Sequence, residues 1–380
     1  MSYKKFCIGV DAFGLNHGIS GTGSYLSEIV KNVPERDFEF CLFGHELDKY
    51  TYTSSSTNIS FKGINIRDNA LSEAFWHKSM LNSFIEKNNF HAVIYVSGFS
   101  LLPVKIKTPS FLIVNSVPKT SNFLSNLYIK QIIKDIKGII VPSEYIKDAL
   151  ISFGVPQFKI AIIYNGVNHS TFKPIEKEVK DIVFIQPFSI KRPYIIYVSS
   201  LANTLKSHVE LIRAFDLFKK KRNTAHKLVI AGAEGDASPL VRKEILKSHY
   251  SSDILLTGYF PHESLSKLYA NADIAIFPSR NEGSALSVLE AMASGVPTAC
   301  SNEGALKEVA KDASIYFDST SLESIENAIE SLITKENNFT LRQTLIEKGI
   351  LCAKDYSWKK TAEESIDYIL SQLKTFYKPC

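Results

Sequence analysis

The chain of 380 residues is longer than one hydrophobic core usually accommodates, so two domains are expected. Its composition, with 45% hydrophobic and 22% charged residues, excludes a disordered or fibrous protein. The net charge of +5 comes without a basic stripe or a recognised binding module, so no nucleic-acid partner is expected.

Targeting and membrane signals are missing from the sequence pattern. The apolar stretch after the first lysines is about five residues long, which is typical of a strand and too short for a signal peptide. No apolar run approaches the roughly 18 residues of a membrane span. The five cysteines lack metal-ligand spacing and are expected to be reduced. We therefore expect a cytoplasmic protein, although the positive excess of residues 1–172 would suit contact with an anionic membrane surface.

Short β-rich apolar runs alternate with amphipathic helical patterns along the first half of the chain. Strands are predicted at 6–10, 38–43, 58–64, 91–97, 109–115, 138–143 and 159–165. Helices are predicted at 23–33, 71–88, 122–136 and 143–153. This alternation implies right-handed crossovers and a mainly parallel sheet, so residues 1–172 are expected to form a Rossmann-like α/β domain.

A second alternating series follows residues 173–192, which hold two prolines and many charges and are interpreted as a linker. Strands are predicted at 194–200, 227–232, 253–258, 274–279, 297–301 and 314–318, with helices at 206–222, 239–249, 262–271, 284–294, 303–310 and 321–334. Residues 193–354 should therefore form a second doubly wound domain, followed by a helix within 355–380. Ligands of parallel sheets bind at the carboxyl ends of strands, so the two domains are expected to face each other across a cleft.

The most informative stretch is FPSRNEGSALSVLEAMASGVP, residues 277–297, which predicts a strand, a polar loop and a helix beginning near Gly283 and Ser284. Glu282 would then lie at a helix N-terminus, where free backbone N–H groups can hold a diphosphate. Glu290 would lie roughly 12 Å further along the helix, among apolar neighbours that make an unpaired carboxylate costly. Spacing alone leaves two readings open: a ligand-binding pair, or a capping Glu282 with a solvent-facing Glu290.

This stretch resembles the family 4 retaining glycosyltransferases of GT-B fold. Their hallmark is two glutamates separated by seven residues, followed by an Ala-Met-Ala-x-Gly-x-Pro run. The matching positions are Glu282, Glu290, Gly295 and Pro297. The resemblance implies that Glu282 contacts hydroxyls of the donor sugar and that Glu290 contacts the nucleotide ribose.

The resemblance extends over nearly the whole chain. The segments that also match are 141–174, 197–215, 256–279, 301–310 and 356–369, the last being the helix that crosses back to the first domain in the family. It implies that Lys206 holds the donor diphosphate and that Gly258 and Tyr259 face the nucleobase. The donor-binding positions expected in this way are Glu290, Gly258, Tyr259, Gly283, Ser284, Ala285, Ser199 and Ser200.

Residues 18–30, GISGTGSYLSEIV, resemble the first glycine loop of the family, after the first strand and at the start of a helix. Glycines there would let the backbone approach a phosphate or sugar without a Cβ clash. We expect the cleft to be lined by Gly21, Thr22, Gly23 and Ser24. A tight turn without a ligand is the alternative.

This sequence also departs from the family pattern. Ser199 and Ser200 stand where many members have Gly-Arg, and Leu205 stands where others have Arg. The grip on the diphosphate is therefore expected to depend on Lys206. Asn115 stands where members often carry a histidine that helps hold the donor sugar. Its amide would either offer a neutral hydrogen bond or begin a turn.

Several histidines are interpreted as surface or capping residues because they lack metal-ligand spacing; they are His17, His45, His91, His208, His226 and His249. No metal site and no resident cofactor are expected, and the family resemblance implies a reaction without a bound metal.

These features predict transfer of a hexose from a nucleoside-diphosphate sugar to a hydroxyl of a glycan or lipid-linked acceptor, with the retention that the resemblance implies. The expected catalytic residues are Lys206, Glu282 and Asn115. Residues 75–85 and 11–12 resemble mannosyltransferases that build bacterial surface polysaccharides, so GDP-mannose is the first donor expected. The alternatives are a catalytically weak or inactive partner of a second transferase, and a sugar-nucleotide epimerase of the same fold.

Overall fold

The structure, a computed structural model, describes residues 6–36, 38–53, 59–116, 123–175, 182–185, 188–333 and 338–377, with the backbone alone at 123–126, 262–263 and 338. The chain divides into two compact units. The first unit comprises Met1–Gly166 together with Trp358–Cys380, and the second comprises Val167–Ser357. The first unit is therefore discontinuous in sequence, with the second inserted into it.

The first unit is built on a parallel sheet whose strand order, within the described residues, is β3-β2-β1-β4-β5-β6-β7. The strands are β1 Phe6–Asp11, β2 Phe38–His45, β3 Ile59–Ile64, β4 Ala92–Tyr95, β5 Ser110–Ile113, β6 Gly138–Val141 and β7 Ile160–Ile162. The helices between them are α1 Gly21–Lys31, α2 Lys49–Tyr52, α3 Ala70–Ser79, α4 Leu81–Lys87, α5 Phe123–Asp135 and α6 Glu144–Ser152. The central strands are buried on both faces, as parallel strands covered by helices should be.

The helix predicted over 71–88 is two helices, α3 and α4, which meet at Met80. The hydroxyl of Ser79 donates to the carbonyl of Phe75 at 2.6 Å. Such back-bonding competes with the helical ladder and bends helices. The amphipathic pattern alone did not reveal this break, because both helices bury apolar residues, including Trp76 and Leu81.

The second unit is built on another parallel sheet, with the order β12-β11-β10-β13-β14-β15, and a separate antiparallel pair β8-β9. The strands are β8 Ile182–Ile185, β9 Phe188–Lys191, β10 Tyr194–Val198, β11 Lys227–Ala231, β12 Ile254–Gly258, β13 Ile274–Phe277, β14 Thr298–Ser301 and β15 Ser314–Phe317. The helices are α7 His208–Lys221, α8 Ser238–Lys247, α9 His262–Ala270, α10 Leu286–Ala293, α11 Leu306–Ala310, α12 Leu322–Ile333 and α13 Asn338–Lys354.

Two elements of the second unit differ from the sequence-based expectation. Part of the range interpreted as a linker, 173–192, forms the strands β8 and β9. Helix α13 was not predicted, because its apolar residues do not keep to one face: Phe339 and Leu351 are exposed while Leu345 and Cys352 are buried. An interrupted apolar stripe gives little helical periodicity to detect.

The last helix, α14 Trp358–Phe376, belongs to the first unit. Two of its hydroxyls bond the segments on either side of β7. Thr361 donates to the carbonyl of Tyr164 at 2.8 Å, and Tyr368 donates to that of Lys159 at 3.0 Å. Its apolar side buries Ile366, Ile369 and Leu373. None of the helices that the structure describes is both long and apolar enough to cross a bilayer.

Candidate active site

The centre of the candidate site is an ion pair between Lys206 and Glu282. The Lys206 ammonium lies 2.7 Å from Oε2 of Glu282, and the two side chains are 18% and 26% exposed. Lys206 follows β10 and precedes α7, whereas Glu282 lies in the loop between β13 and α10. The topology brings them together because β10 and β13 are neighbours in the parallel sheet, and their carboxyl ends share one edge.

Backbone hydrogen bonds fix the two loops that carry this pair. The hydroxyl of Tyr197 donates to the carbonyl of Lys206 at 2.8 Å. The backbone N–H of Arg280 donates to the carbonyl of Leu205 at 2.8 Å. These bonds hold the loops against each other at the base of the ion pair, so its geometry does not depend on the side chains alone.

Glu282 is also fixed by the loop between β14 and α11. The backbone N–H of Ala305 donates to the Glu282 carbonyl at 2.8 Å. Gly304 has φ +64°, and a Cβ there would lie 2.7 Å from the same carbonyl oxygen. Only glycine allows this close approach. In the sequence, Gly304 carries no signal that distinguishes it from other loop glycines.

Left-handed backbone occurs beside both members of the pair. Ser207, directly after Lys206, has φ 54°, and Ala285, three residues after Glu282, has φ 50°. For residues with a Cβ this conformation costs about 1–2 kcal/mol, and such strain clusters at functional sites. Strained backbone on both sides of the ion pair therefore supports the hypothesis that these two loops have a functional role.

Helix α10 begins at Leu286, slightly later than the predicted start near Gly283 and Ser284. Gly283, Ser284 and Ala285 therefore form the turn that leads into the helix, and Ala285 is fully buried. No side chain caps this helix. The alternative in which Glu282 acts as its cap is wrong.

Glu290 is buried in α10, with 4% exposure, so the solvent-facing alternative is also wrong. Its charge acts on Tyr269, whose side chain is buried. Burial, and then the charge of Glu290, raise the pKa of the Tyr269 phenol well above its usual value. The structure thus places a carboxylate inside an apolar helix, where it must accept hydrogen bonds to be tolerated.

The expected base-binding residues lie at the carboxyl end of β12. Gly258 has φ +72° and open space where a Cβ would stand, and Tyr259 is 52% exposed. Ser199 and Ser200, which follow β10, are half-buried and exposed respectively. The backbone N–H of Gly232 donates to the carbonyl of Gly258 at 2.9 Å, which ties the end of β11 to the edge strand β12. These four residues, which were expected to contact the donor, therefore lie at or just beyond the ends of two strands at the carboxyl edge of one sheet.

In the first unit, the four residues expected to form a glycine loop make up the first turn of α1 instead. The Ser20 hydroxyl accepts from the backbone N–H of Gly23 at 3.0 Å and so caps the helix. A Cβ at Gly23 would collide with the backbone of Gly18 and Leu15, whereas Gly21 has open space beside it. The glycines thus serve close packing at 23 and leave an unobstructed surface at 21, next to the half-buried Thr22 and Ser24.

Asn115 lies two residues after β5 ends at Ile113. Its side-chain oxygen is buried and accepts no hydrogen bond from the described residues. A turn-forming asparagine would bond its own backbone nearby. The residue two positions further on, whose N–H group a turn would use, lies outside the described residues, so the ligand-binding role of Asn115 stays a prediction beside the turn-forming one.

The histidines were partly misinterpreted from the sequence. His45 and His208 are buried, with 7% and 2% exposure, so they are not surface residues. Burial lowers the pKa of His208 to about 4, which keeps this ring neutral beside Lys206. His77, which carried no spacing signal, pairs with Asp11 in the core of the first unit.

Two family models match the chain: "Glycosyltransferase Family 4" over residues 19–171 and "Glycosyl transferases group 1" over residues 179–351. The chain belongs to the family 4 glycosyltransferases, and its two α/β units are those of a GT-B fold.

Among curated proteins, the O-antigen chain mannosyltransferase B of Escherichia coli is 28% identical over 174 residues, which cover 46% of this chain and 45% of that protein. An uncharacterized glycosyltransferase of Methanocaldococcus jannaschii is 28% identical over 239 residues, covering 60% of this chain and 58% of that one. The matches thus span about half the length of these relatives. Among solved structures, sucrose-phosphate synthase from Thermosynechococcus elongatus superposes with a TM-score of 0.77 at 14% identity, covering 98% of this chain and 100% of that one.

Proposed function

We propose that this chain transfers a hexose from a nucleoside-diphosphate sugar to a hydroxyl group of a glycan or lipid-linked acceptor. The observation that carries the proposal is the Lys206–Glu282 pair beside the start of α10, with Glu290 buried in the same helix. The arrangement offers a cation and free backbone N–H groups for a diphosphate, and carboxylates for sugar hydroxyls. These are the groups that such a donor requires.

In this proposal the Lys206 ammonium moves from Glu282 onto the diphosphate as the donor binds. Negative charge develops on the leaving diphosphate when the sugar–oxygen bond breaks, and preorganised donors stabilise it there. Lys206 and the N–H groups at the start of α10 supply that stabilisation, so no bound metal is needed for this step. Glu282, released from its ion pair, accepts hydrogen bonds from sugar hydroxyls, and transfer proceeds with retention.

GDP-mannose is the first donor to test, because the E. coli relative is named as a mannosyltransferase. A thermal-shift screen with UDP, GDP and ADP sugars should show a single preferred nucleotide. A ligand at a hundredfold over Kd stabilises the folded state by about 2.7 kcal/mol. No shift with any of these sugars, from a protein that melts cooperatively, would contradict donor binding.

A second candidate function is a weak or inactive partner of another transferase. It is favoured by Leu205, which stands in place of an arginine and is 43% exposed, and by Asn115, which stands in place of a histidine. The purified chain alone distinguishes the two. Release of nucleoside diphosphate from the preferred donor, with or without acceptor, supports the enzyme; binding without turnover supports the partner.

Glu290→Gln should keep the fold and weaken donor binding. A buried carboxylate that accepts from ribose hydroxyls contributes about 1.5–3 kcal/mol, so donor Kd should rise at least about tenfold. Calorimetry on the variant measures this. Glu244→Gln, which alters a buried helical glutamate of the same unit, is the matched control and should bind donor normally. Equal donor affinity for Glu290→Gln and wild type would remove Glu290 from the site.

Asn115→Ala should reduce transfer about tenfold or more while the melting temperature barely changes. Loss of one neutral hydrogen bond raises the barrier by roughly 1–2 kcal/mol, and the side-chain oxygen satisfies no described partner in the fold. Kinetics and melting are measured on the same variant. A lower melting temperature with normal kinetics would instead assign Asn115 to a turn.

Asn115→His gives a further check on this position. Activity at or above wild type would make Asn115 equivalent to the histidine common in the family. An inert Asn115→His beside an active Asn115→Ala would show that the two positions do not correspond.

A further inference from the structure

Three side chains of the first unit converge at the carboxyl end of β2; we call them the His45 cluster, defined as His45, Asp68 and Glu73. Nε2 of His45 lies 2.8 Å from Oε1 of Glu73 and 3.5 Å from Oδ1 of Asp68. The three ligand atoms all lie within 4.8 Å of one another. None of these residues has a part in the proposed transfer reaction.

This arrangement has more hydrogen-bond acceptors than donors. One imidazole nitrogen carries at most one proton, yet two carboxylates are aimed at it. Two carboxylates that close repel each other unless a positive charge lies between them. A cation at the point where the three side chains meet would relieve this repulsion.

The scaffold fixes these side chains from separate elements. His45 is the last residue of β2, Glu73 lies in the first turn of α3, and Asp68 lies in the segment just before that helix. The His45 and Glu73 side chains are 8% and 12% exposed, whereas Asp68 is 60% exposed. The cluster is thus held rigidly on two sides and open to solvent on the third, which gives an ion a path of entry.

A second histidine supports the exposed carboxylate from outside. Nε2 of His17 lies 2.8 Å from Oδ2 of Asp68, and its Nδ1 lies 2.7 Å from Oδ1 of Asp48. His17 occupies left-handed backbone, with φ 50°, and so does Asn16 before it, with φ 52°. Partners that hold a ligating carboxylate through its other oxygen are typical of metal centres.

We propose that the His45 cluster binds one divalent transition-metal ion, with zinc the first expected, and that water completes the coordination. Ligands at about 2.0–2.2 Å from Zn²⁺ stand roughly 3–3.5 Å apart. Here Nε2 of His45 lies 2.8 and 3.5 Å from the two carboxylates and all three atoms lie within 4.8 Å, so small side-chain movements would complete the site. A mixed imidazole and carboxylate set suits Zn²⁺ or Mn²⁺, while Mg²⁺ prefers oxygen alone. On binding, Nε2 of His45 gives its proton to solvent and its lone pair to the metal.

The ion would fasten β2 to α3 within the first unit and would take no part in the transfer step. The inference does not depend on transferase activity, and its readout is binding. Protein without a histidine tag is stripped with a chelator and titrated with Zn²⁺ by calorimetry, and with Co²⁺ by absorption spectroscopy. One ion per chain is expected, with cobalt d–d bands but no thiolate charge-transfer band.

Asp68→Asn is the first variant to use, because its exposed side chain can change without unfolding the protein. It should weaken Zn²⁺ binding at least tenfold, and His45→Gln should abolish it. Asp148→Asn and His249→Gln, both exposed positions outside the cluster, are matched controls and should bind zinc as the wild type does.

Four outcomes would overturn the proposal: no zinc binding by the wild-type chain, equal binding by Asp68→Asn and wild type, a cobalt–thiolate band, or displacement of zinc by equimolar Mg²⁺. The cobalt–thiolate band would assign the ion to cysteines such as Cys7 or Cys41 instead. If the wild-type chain binds zinc but shows no transferase activity, that result contradicts the proposed function and leaves the zinc site unaffected.

Discussion

Lys206→Ala should lower the turnover of sugar transfer by at least about a hundredfold, since removing one preorganised group that stabilises developing charge costs about 10²–10³ in rate. The variant also leaves Glu282 without its cation, 2.7 Å away in the wild type, so a carboxylate would face the donor diphosphate. Because the pair is partly exposed, its loss should change the free energy of unfolding little. Steady-state kinetics and denaturation on the same preparation measure both.

Two other cations provide the controls. Lys307→Ala removes an exposed lysine of α11 and should leave turnover unchanged. Arg280 lies 3.1 Å from Glu210 and its backbone contacts the loop of Lys206, so Arg280→Ala tests the nearest substitute. If the turnover of Lys206→Ala lies within threefold of wild type while that of Arg280→Ala is strongly reduced, the diphosphate is held by Arg280 and not by Lys206.

Glu282→Gln separates the two members of the pair. It keeps the Lys206 ammonium and removes the group proposed to hold the sugar. Affinity for the nucleoside diphosphate should then stay level or rise, while turnover falls. Parallel losses of diphosphate affinity in Glu282→Gln and Lys206→Ala would instead mean that Glu282 only positions Lys206.

His77→Leu should destabilise the first unit by about 3–5 kcal/mol, which is the usual cost of breaking a buried ion pair by removing one partner. Nε2 of His77 lies 2.8 Å from Oδ2 of Asp11, and both side chains are fully buried. Its Nδ1 lies 2.7 Å from the carbonyl of Glu73, so both nitrogens face acceptors and both must donate. Burial opposes protonation of this ring, but the charge and hydrogen bond of Asp11 outweigh it and raise the pKa of His77.

Tryptophan fluorescence reports this loss directly. Both tryptophans of the chain, Trp76 and Trp358, belong to the first unit, so urea denaturation followed by fluorescence measures that unit. Asp11→Asn combined with His77→Leu should recover part of the stability, because no buried charge is then left unpaired. A double variant less stable than His77→Leu alone would show that the imidazole contributes by packing, and His249→Leu serves as the exposed control.

Most of the sheet architecture could be predicted, because parallel strands buried on both faces leave continuous apolar runs such as FCIGV and GIIV. The elements that escaped prediction lack such a signal. The β8-β9 pair has one exposed face, with Ile182 and Phe184 in solvent, and α13 has no continuous apolar stripe. Local hydrophobicity did not distinguish either from a loop.

At the site, the family resemblance drew attention to Lys206, Glu282 and Glu290, but nothing in the sequence indicated that Lys206 and Glu282 form an ion pair. The contact between Lys206 and Glu282 spans 76 residues of sequence, and no local pattern encodes such a distance. The same applies to His77, which meets Asp11 across 66 residues. Side chains at the carboxyl ends of strands were predictable as a group, whereas their pairing follows from strand order.

The insertion of the second unit into the first has a consequence for synthesis on the ribosome. The ends of the inserted unit meet, since Val167 pairs with Ser357 and its N–H donates to the carbonyl of Tyr356 at 3.3 Å. Residues 167–357 can therefore complete their core as soon as they have emerged. The first unit, although most of it is made earlier, must wait for α14 to cover its apolar surface around Tyr25 and Ile29. During that interval the nascent amino-terminal segment is the part of the chain most exposed to aggregation and to chaperones.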